Sequence, residues 1–207
     1  SQSMKTIIIV FFIFISASAF SQKIDDVFKT MPNSVLPGLS ESNRTMFLVD
    51  TGKTVIPYSL GKIEKLAYTP DFLKIKTSDI GTTQIKLLPL INDTKIICVI
   101  KTVCGNACDS RIQFYSTDWK ELDSNALLPD ISPESFFDSS QKDSENYKFA
   151  LSLPDIYPVS AEFENGSNAL TLKLDLEGYL SDEQLAEVKP FIKSETITLN
   201  WNNISFR

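Results

Sequence analysis

The sequence predicts an α+β domain: an antiparallel β-meander sheet, or sheets, with helices packed on one face. Three observations carry this. Between Lys62 and Thr117, short β-rich runs recur with turn residues between them. Further on, Leu170, Leu172, Leu174 and Leu176 alternate with Thr171, Lys173, Asp175 and Glu177, as a strand buried on one side requires. Ser181-Asp182-Glu183-Gln184 is a capping box, a hydroxyl followed three residues later by an amide, which opens a helix.

In chain order, the first element is an address. Met4-Lys5 leads into the apolar run Thr6–Ile15 and then into the small residues Ser16-Ala17-Ser18-Ala19-Phe20-Ser21. A positive start, a short apolar core and small residues at −3 and −1 of a cut before Gln22 are the parts of a signal peptide. The apolar run is shorter than the roughly 20 residues a spanning helix requires. Residues 1–21 therefore read as an expression remnant (Ser1-Gln2-Ser3) plus a signal peptide. Residues 22–207 read as a single exported domain, periplasmic or extracellular, with no stable membrane span in the mature form.

Ile24, Val27, Phe28 and Met31 share one helix face, so a short helix is expected there. Pro32 and Pro37-Gly38 interrupt the chain, and Ser40-Glu41-Ser42-Asn43 supplies N-cap chemistry for a helix over 40–51. Strands follow at 63–68, 72–77, 83–90, 94–103 and 111–116. Asn92-Asp93 and Gly105-Asn106 sit where reversals are needed. The unbroken apolar run 96–100 predicts a central strand buried on both faces. The polar, aperiodic stretch 138–146 reads as an exposed loop or a linker between two subdomains, 22–137 and 147–207. After it, the alternation of Tyr147, Phe149, Leu151 and Leu153 predicts a strand, and a final strand runs over 196–201.

Composition narrows the chemistry. Twenty basic against 26 acidic residues give a net charge of −6, with no basic cluster, which excludes nucleic acid as an expected partner. The chain has no histidine, so triads, dyads and zinc sites built on that side chain are excluded. Of three cysteines, Cys98 lies among aliphatics and reads as a small buried hydrophobe. Cys104 and Cys108 bracket a turn, and an oxidising compartment favours their pairing as a structural disulfide. The alternative, a redox-active dithiol, lacks the Cys-x-x-Cys spacing that lowers a thiol pKa at a helix start.

Other motifs have plainer readings. Leu48-Val49-Asp50-Thr51-Gly52 has the outline of an aspartic protease loop, but it occurs once, Lys53 is unlike the small residue usual there, and Gly52 suits a helix end. Gly52-Lys53-Thr54 lacks the first glycine of a phosphate loop. The acid pairs Asp25-Asp26 and Asp182-Glu183 suit the first turns of helices better than a calcium site. No catalytic, cofactor or metal-ligating residue is assigned, and no cofactor is expected.

One resemblance stands out. Lys86-Leu87-Leu88-Pro89-Leu90, the run Thr94 to Gly105, Ala107-Cys108-Asp109-Ser110 and Phe114-Tyr115-Ser116-Thr117-Asp118-Trp119-Lys120-Glu121-Leu122 together resemble an uncharacterised family of exported proteins from Bacteroides-type bacteria, domain of unknown function 3256. The likeness is densest over 86–122, with support from Met31-Pro32-Asn33-Ser34 and from the helix and Trp-ending strand at 181–201. It implies an exported compartment and brings no activity and no catalytic residues. The leading expectation is a non-enzymatic module that binds a protein or envelope component, with Tyr115, Trp119 and Tyr157 as candidate exposed binding aromatics. The alternative is a carboxylate-based hydrolase acting on envelope glycans or peptides.

Overall fold

The computed structural model describes residues 21–49, 54–58 and 61–207. Residues 1–20, which hold most of the expected signal peptide, and the Asp50-Thr51-Gly52-Lys53 motifs lie outside the described residues. The fold is α+β and its sheets are antiparallel. A seven-stranded meander in the order β1 to β7 comprises β1 (Val55–Tyr58), β2 (Gly61–Thr69), β3 (Phe72–Lys76), β4 (Gly81–Pro89), β5 (Lys95–Cys104), β6 (Cys108–Ser116) and β7 (Glu121–Leu122). Every neighbour pair is adjacent in sequence, as short turns between antiparallel strands dictate.

A three-stranded sheet in the order β10-β9-β8 is built from β8 (Val159–Phe163), β9 (Leu170–Leu174) and β10 (Thr196–Leu199). Among the described residues, four α-helices accompany the sheets: α1 (Ile24–Lys29), α2 (Glu41–Val49), α3 (Glu145–Ser152) and α4 (Asp182–Val188).

The apolar run at 96–100 divides its side chains between two cores. Ile97 and Val99 join Ile85, Leu87 and the buried residues of α1 and α2 on one face of the large sheet. Ile96, Cys98 and Ile100 join Phe114 and the buried residues of β8, β9, α3 and α4 on the other. Each α1 anchor, Ile24, Val27 and Phe28, is buried at the spacing of one helix face. Asp26 accepts from the backbone N–H of Lys23 at 3.0 Å and so occupies an orphan donor at the helix start. The Ser40 hydroxyl takes the N–H of Asn43 at 3.2 Å, the cap expected for α2. Ser181 and Gln184 form the reciprocal box at the start of α4.

Two cations are buried in the large sheet. Lys65 donates from Nζ to the Phe47 carbonyl at 3.0 Å, near the end of α2 where the helix dipole is negative. The buried Lys86 ammonium pairs with the Asp71 carboxylate at 2.9 Å.

One expected strand is corrected. Residues 147–152 are helical, within α3, and Leu153 follows as its C-cap, because Ser144 caps the helix by accepting from the Tyr147 N–H and because Tyr147 and Ala150, three apart, are the buried pair. Phe149, expected on the buried face, is 55% exposed. The 138–146 segment is mostly exposed, with a 3-10 turn over Ser139–Gln141 capped by Asp138. Elements on both sides of it contribute to the second core.

Candidate functional site

The small sheet presents an edge strand, β8, to the large one. Strands alternate the direction of their N–H and C=O groups, so pairing with β9 through Ser160 and Glu162 leaves Val159, Ala161 and Phe163 facing away from that ladder. Side chains of the large sheet take up that edge. The buried Gln84 amide behaves as a piece of strand backbone: its Nε2 donates to the Ala161 carbonyl at 3.1 Å and its Oε1 accepts from the Phe163 N–H at 3.0 Å. The Ser110 Oγ accepts from the Ala161 N–H at 2.9 Å, and Asp109 Oδ1 accepts from the Val159 N–H at 3.1 Å. An unpaired edge is thereby closed without a further strand.

Beside this junction lies a cavity of about 690 Å³. Ser110 and Ile112 of β6, Val159 and Ala161 of β8 and Leu172 of β9 line one side. The other side is the connection after β7, held in shape by Asp123, which accepts from the Asn125 N–H at 3.0 Å, and by Pro133 at the start of the 3-10 turn Pro133–Phe136. Asp109, Asp130, Ser124, Asn125 and Ser132 supply the polar part of the lining, while Ile112, Leu128, Ile131 and Phe136 supply the apolar part. Size and lining match those of sites for small ligands or short peptide segments.

The β6 edge in this cavity is incomplete. Cys104 donates its N–H to the Ile80 carbonyl and Ser116 donates its N–H to the Lys120 carbonyl, both at 2.8 Å. Odd residues of β6 therefore bond to β5, and even residues point the other way. β7 covers Phe114, and the Asp175 carboxylate takes the Cys108 N–H at 2.9 Å. Between these two, the N–H and C=O groups of Ser110 and Ile112 have no hydrogen-bond partner among the described residues.

Of the expected binding aromatics, one reaches this site. Tyr157 lines the cavity, with its hydroxyl donating to the Leu151 carbonyl. Burial, with Tyr147 and Glu134 nearby, pushes its pKa up to about 12, so the phenol stays neutral. Tyr115 and Trp119 are not exposed: each keeps only 9% of its surface, and both belong to the core beneath α1 and α2. Trp119 packs against Tyr115 with ring centroids 5.3 Å apart and planes tilted by 55°, and it donates from Nε1 to the Val27 carbonyl at 2.9 Å. Its backbone is left-handed at φ 64°, an uncommon conformation for a bulky residue, held by this packing.

Cys104 and Cys108 are joined in a disulfide across the first pair of the β5–β6 hairpin. The tip docks against the segment after β9, where a Cβ on Gly178 would sit 1.6 Å from the Asn106 carbonyl oxygen. Cys98 is fully buried and its thiol pKa is raised by desolvation, so it remains protonated.

The family model described as a protein of unknown function, DUF3256, matches residues 16–206. The chain belongs to this family. A solved structure, a domain of an uncharacterized protein from Porphyromonas gingivalis W83, is similar with a TM-score of 0.77 and 25% identity, over 87% of this chain and 96% of that one. No curated protein sequence matches the chain. DUF3256 membership thus fits the resemblance carried by residues 86–122. Among the described residues no helix is long and apolar enough to cross a membrane.

Proposed function

We propose that this DUF3256 protein is a non-enzymatic module, exported to the periplasm or cell surface, that binds a protein or envelope component in the cavity beside β6. The observation that carries this reading is the pairing of an apolar-floored cavity of about 690 Å³ with an unsatisfied strand edge in its wall. Buried backbone groups are ordinarily paired, so an open pair in a concave wall is a place where a ligand gains hydrogen bonds without displacing internal ones. The leader-like start of the sequence supports the compartment.

The test is a photo-crosslinking residue placed at Asn125 or Ser132 on the rim, compared with one at Lys120 outside it, in the native host. Discrete adducts from the rim positions alone are expected. Equal or absent adducts at all three positions overturn the reading.

A second reading, a carboxylate-based hydrolase acting on envelope glycans or peptides, is favoured by Asp109 and Asp130 lining the same cavity. Turnover of peptidoglycan fragments that is abolished by Asp109→Asn and by Asp130→Asn would establish it in place of the first.

A further inference from the structure

We propose that the Ser110–Ile112 edge of β6 receives an extended peptide of a partner protein by strand addition, with an apolar-acidic-apolar pattern centred opposite Arg111. This rests on the binding reading above and specifies its ligand. The peptide takes the place a longer β7 would occupy. β7 pairs Phe114 with Leu122 and Tyr115 with Glu121, so its antiparallel continuation would lie opposite Ile112 and Ser110. The chain instead leaves the sheet at Asp123 and turns through Ser124–Ala126, and the vacated register is walled by Ile112, Ser124 and Asn125.

Strand addition fixes the side-chain pattern. Residues of the added strand opposite Ser110 and Ile112 turn their N–H and C=O groups to β6 and their side chains to the same face as Ser110 and Ile112. That face is the one Phe114 shares with the second core, where Leu128, Ile131 and Phe136 offer apolar surface. The peptide residue between them projects to the opposite face, beside Arg111. Arg111 is exposed and stands in register opposite Lys101 on β5. Neither cation makes an ion pair among the described residues. Burial and the neighbouring Arg111 charge lower the Lys101 pKa, the expected consequence of two like charges side by side. An acidic residue at the centre of the peptide relieves that repulsion, and a basic one adds to it.

The experiment is fluorescence anisotropy of a labelled peptide, acetyl-Thr-Ile-Glu-Val-Thr-amide, titrated with the protein spanning residues 22–207. N-methylation of Ile and Val removes the two N–H groups that face β6 and is expected to weaken binding about tenfold or more, whereas N-methylation of Glu is expected to change it less than about twofold. Replacing Glu by Lys in the peptide is expected to weaken binding several-fold, and Arg111→Glu to reverse that preference. Asn125→Trp, which fills the cavity from an exposed position, is expected to abolish binding to the unmodified peptide.

Equal loss from N-methylation at either kind of position, with Asn125→Trp still blocking the peptide, overturns strand addition and leaves the cavity reading standing. No binding of the peptide at millimolar concentration also overturns the inference, and the rim crosslinks then decide the broader reading on their own. A concentration-dependent dimer that protects the amides of Ser110 and Ile112 from exchange overturns it in favour of a second copy of the chain.

Discussion

At the scale of single residues, Lys86 and Asp71 define what a buried charge costs here. The Lys86 side chain is 4% exposed and that of Asp71 is 46% exposed, so the cation depends on a partner that water still reaches. Burial raises the Asp71 pKa, but hydrogen bonds from Lys86 and Thr69 and the Lys86 charge outweigh it and hold the carboxyl below its ordinary value. A lowered folded-state pKa stabilises the fold above the unfolded value, and that stabilisation is lost as pH falls through the folded one. Asp71→Asn should therefore cost about 1 kcal/mol at pH 7, at the low end for a broken buried pair because solvent screens the carboxylate. Urea unfolding at pH 7 and again at pH 2 should find the difference between variant and parent shrinking toward zero in acid. Gly178 poses a steric question in place of an electrostatic one. Gly178→Ala puts a methyl group into the Asn106 carbonyl and should cost about 2 kcal/mol, whereas Gly105→Ala, whose Cβ meets nothing within 4 Å, should change stability by less than about 0.5 kcal/mol. Equal unfolding midpoints for these two variants would mean that the hairpin tip is not docked.

At the scale of elements, the β8 edge is where side chains replace a ladder. Gln84→Leu keeps the volume but strands the Ala161 carbonyl and the Phe163 N–H, so a loss of about 3 kcal/mol is expected. Amide exchange should quicken at Val159, Ala161 and Phe163 and stay slow at Ile97 and Val99 in the other core; uniform quickening would contradict the pairing. This junction marks a boundary of what the sequence reveals. The meander from 63 to 116 was legible because β-branched runs and turn residues act locally, and the helix starts at Ser40 and Ser181 because caps are local as well. Residues 147–153 misled because Tyr147, Phe149, Leu151 and Leu153 fit period two, while the Ser144 cap beside them is the signal that decides for a helix. Gln84 gave no local sign of its role, since its partners lie 77 and 79 residues away. The cavity was equally hidden: its lining comes from β6, the connection after β7 and the β8–β9 pair, so only Tyr157 among the named aromatics fell upon it. Tyr115 and Trp119 look exposed in a strand-turn segment, yet they belong to one core with Val27 and Phe47, which lie far back in the sequence.

At the scale of the whole molecule, the two cores share one wall. β5 places Ile97 and Val99 in the core with α1 and α2, and Ile96, Cys98 and Ile100 in the core with the second sheet, so loss of either core strips a face from the same strand. Exposing one face of a strand buried on both sides removes hydrophobic stabilisation from residues whose ladder also holds the other face. The polar 138–146 segment therefore does not separate independent packing units, since Phe136 and Phe137 before it and Tyr147 and Leu172 after it enter the same cluster. The two tryptophans report on the two sides: Trp119 is packed in the first core, and Trp201 packs on the second, where its Nε1 donates to the Pro89 carbonyl at 2.7 Å. Trp201→Phe leaves fluorescence from the first core alone, and Trp119→Phe leaves it from the second. After correction for the stability each substitution removes, measured by far-ultraviolet circular dichroism on the same sample, the fluorescence and dichroism midpoints should coincide within each variant, as a single cooperative transition demands. If the Trp201 signal changes while the Trp119 signal and the sheet dichroism persist, the second sheet unfolds by itself, and the shared wall at β5 does not couple the two cores.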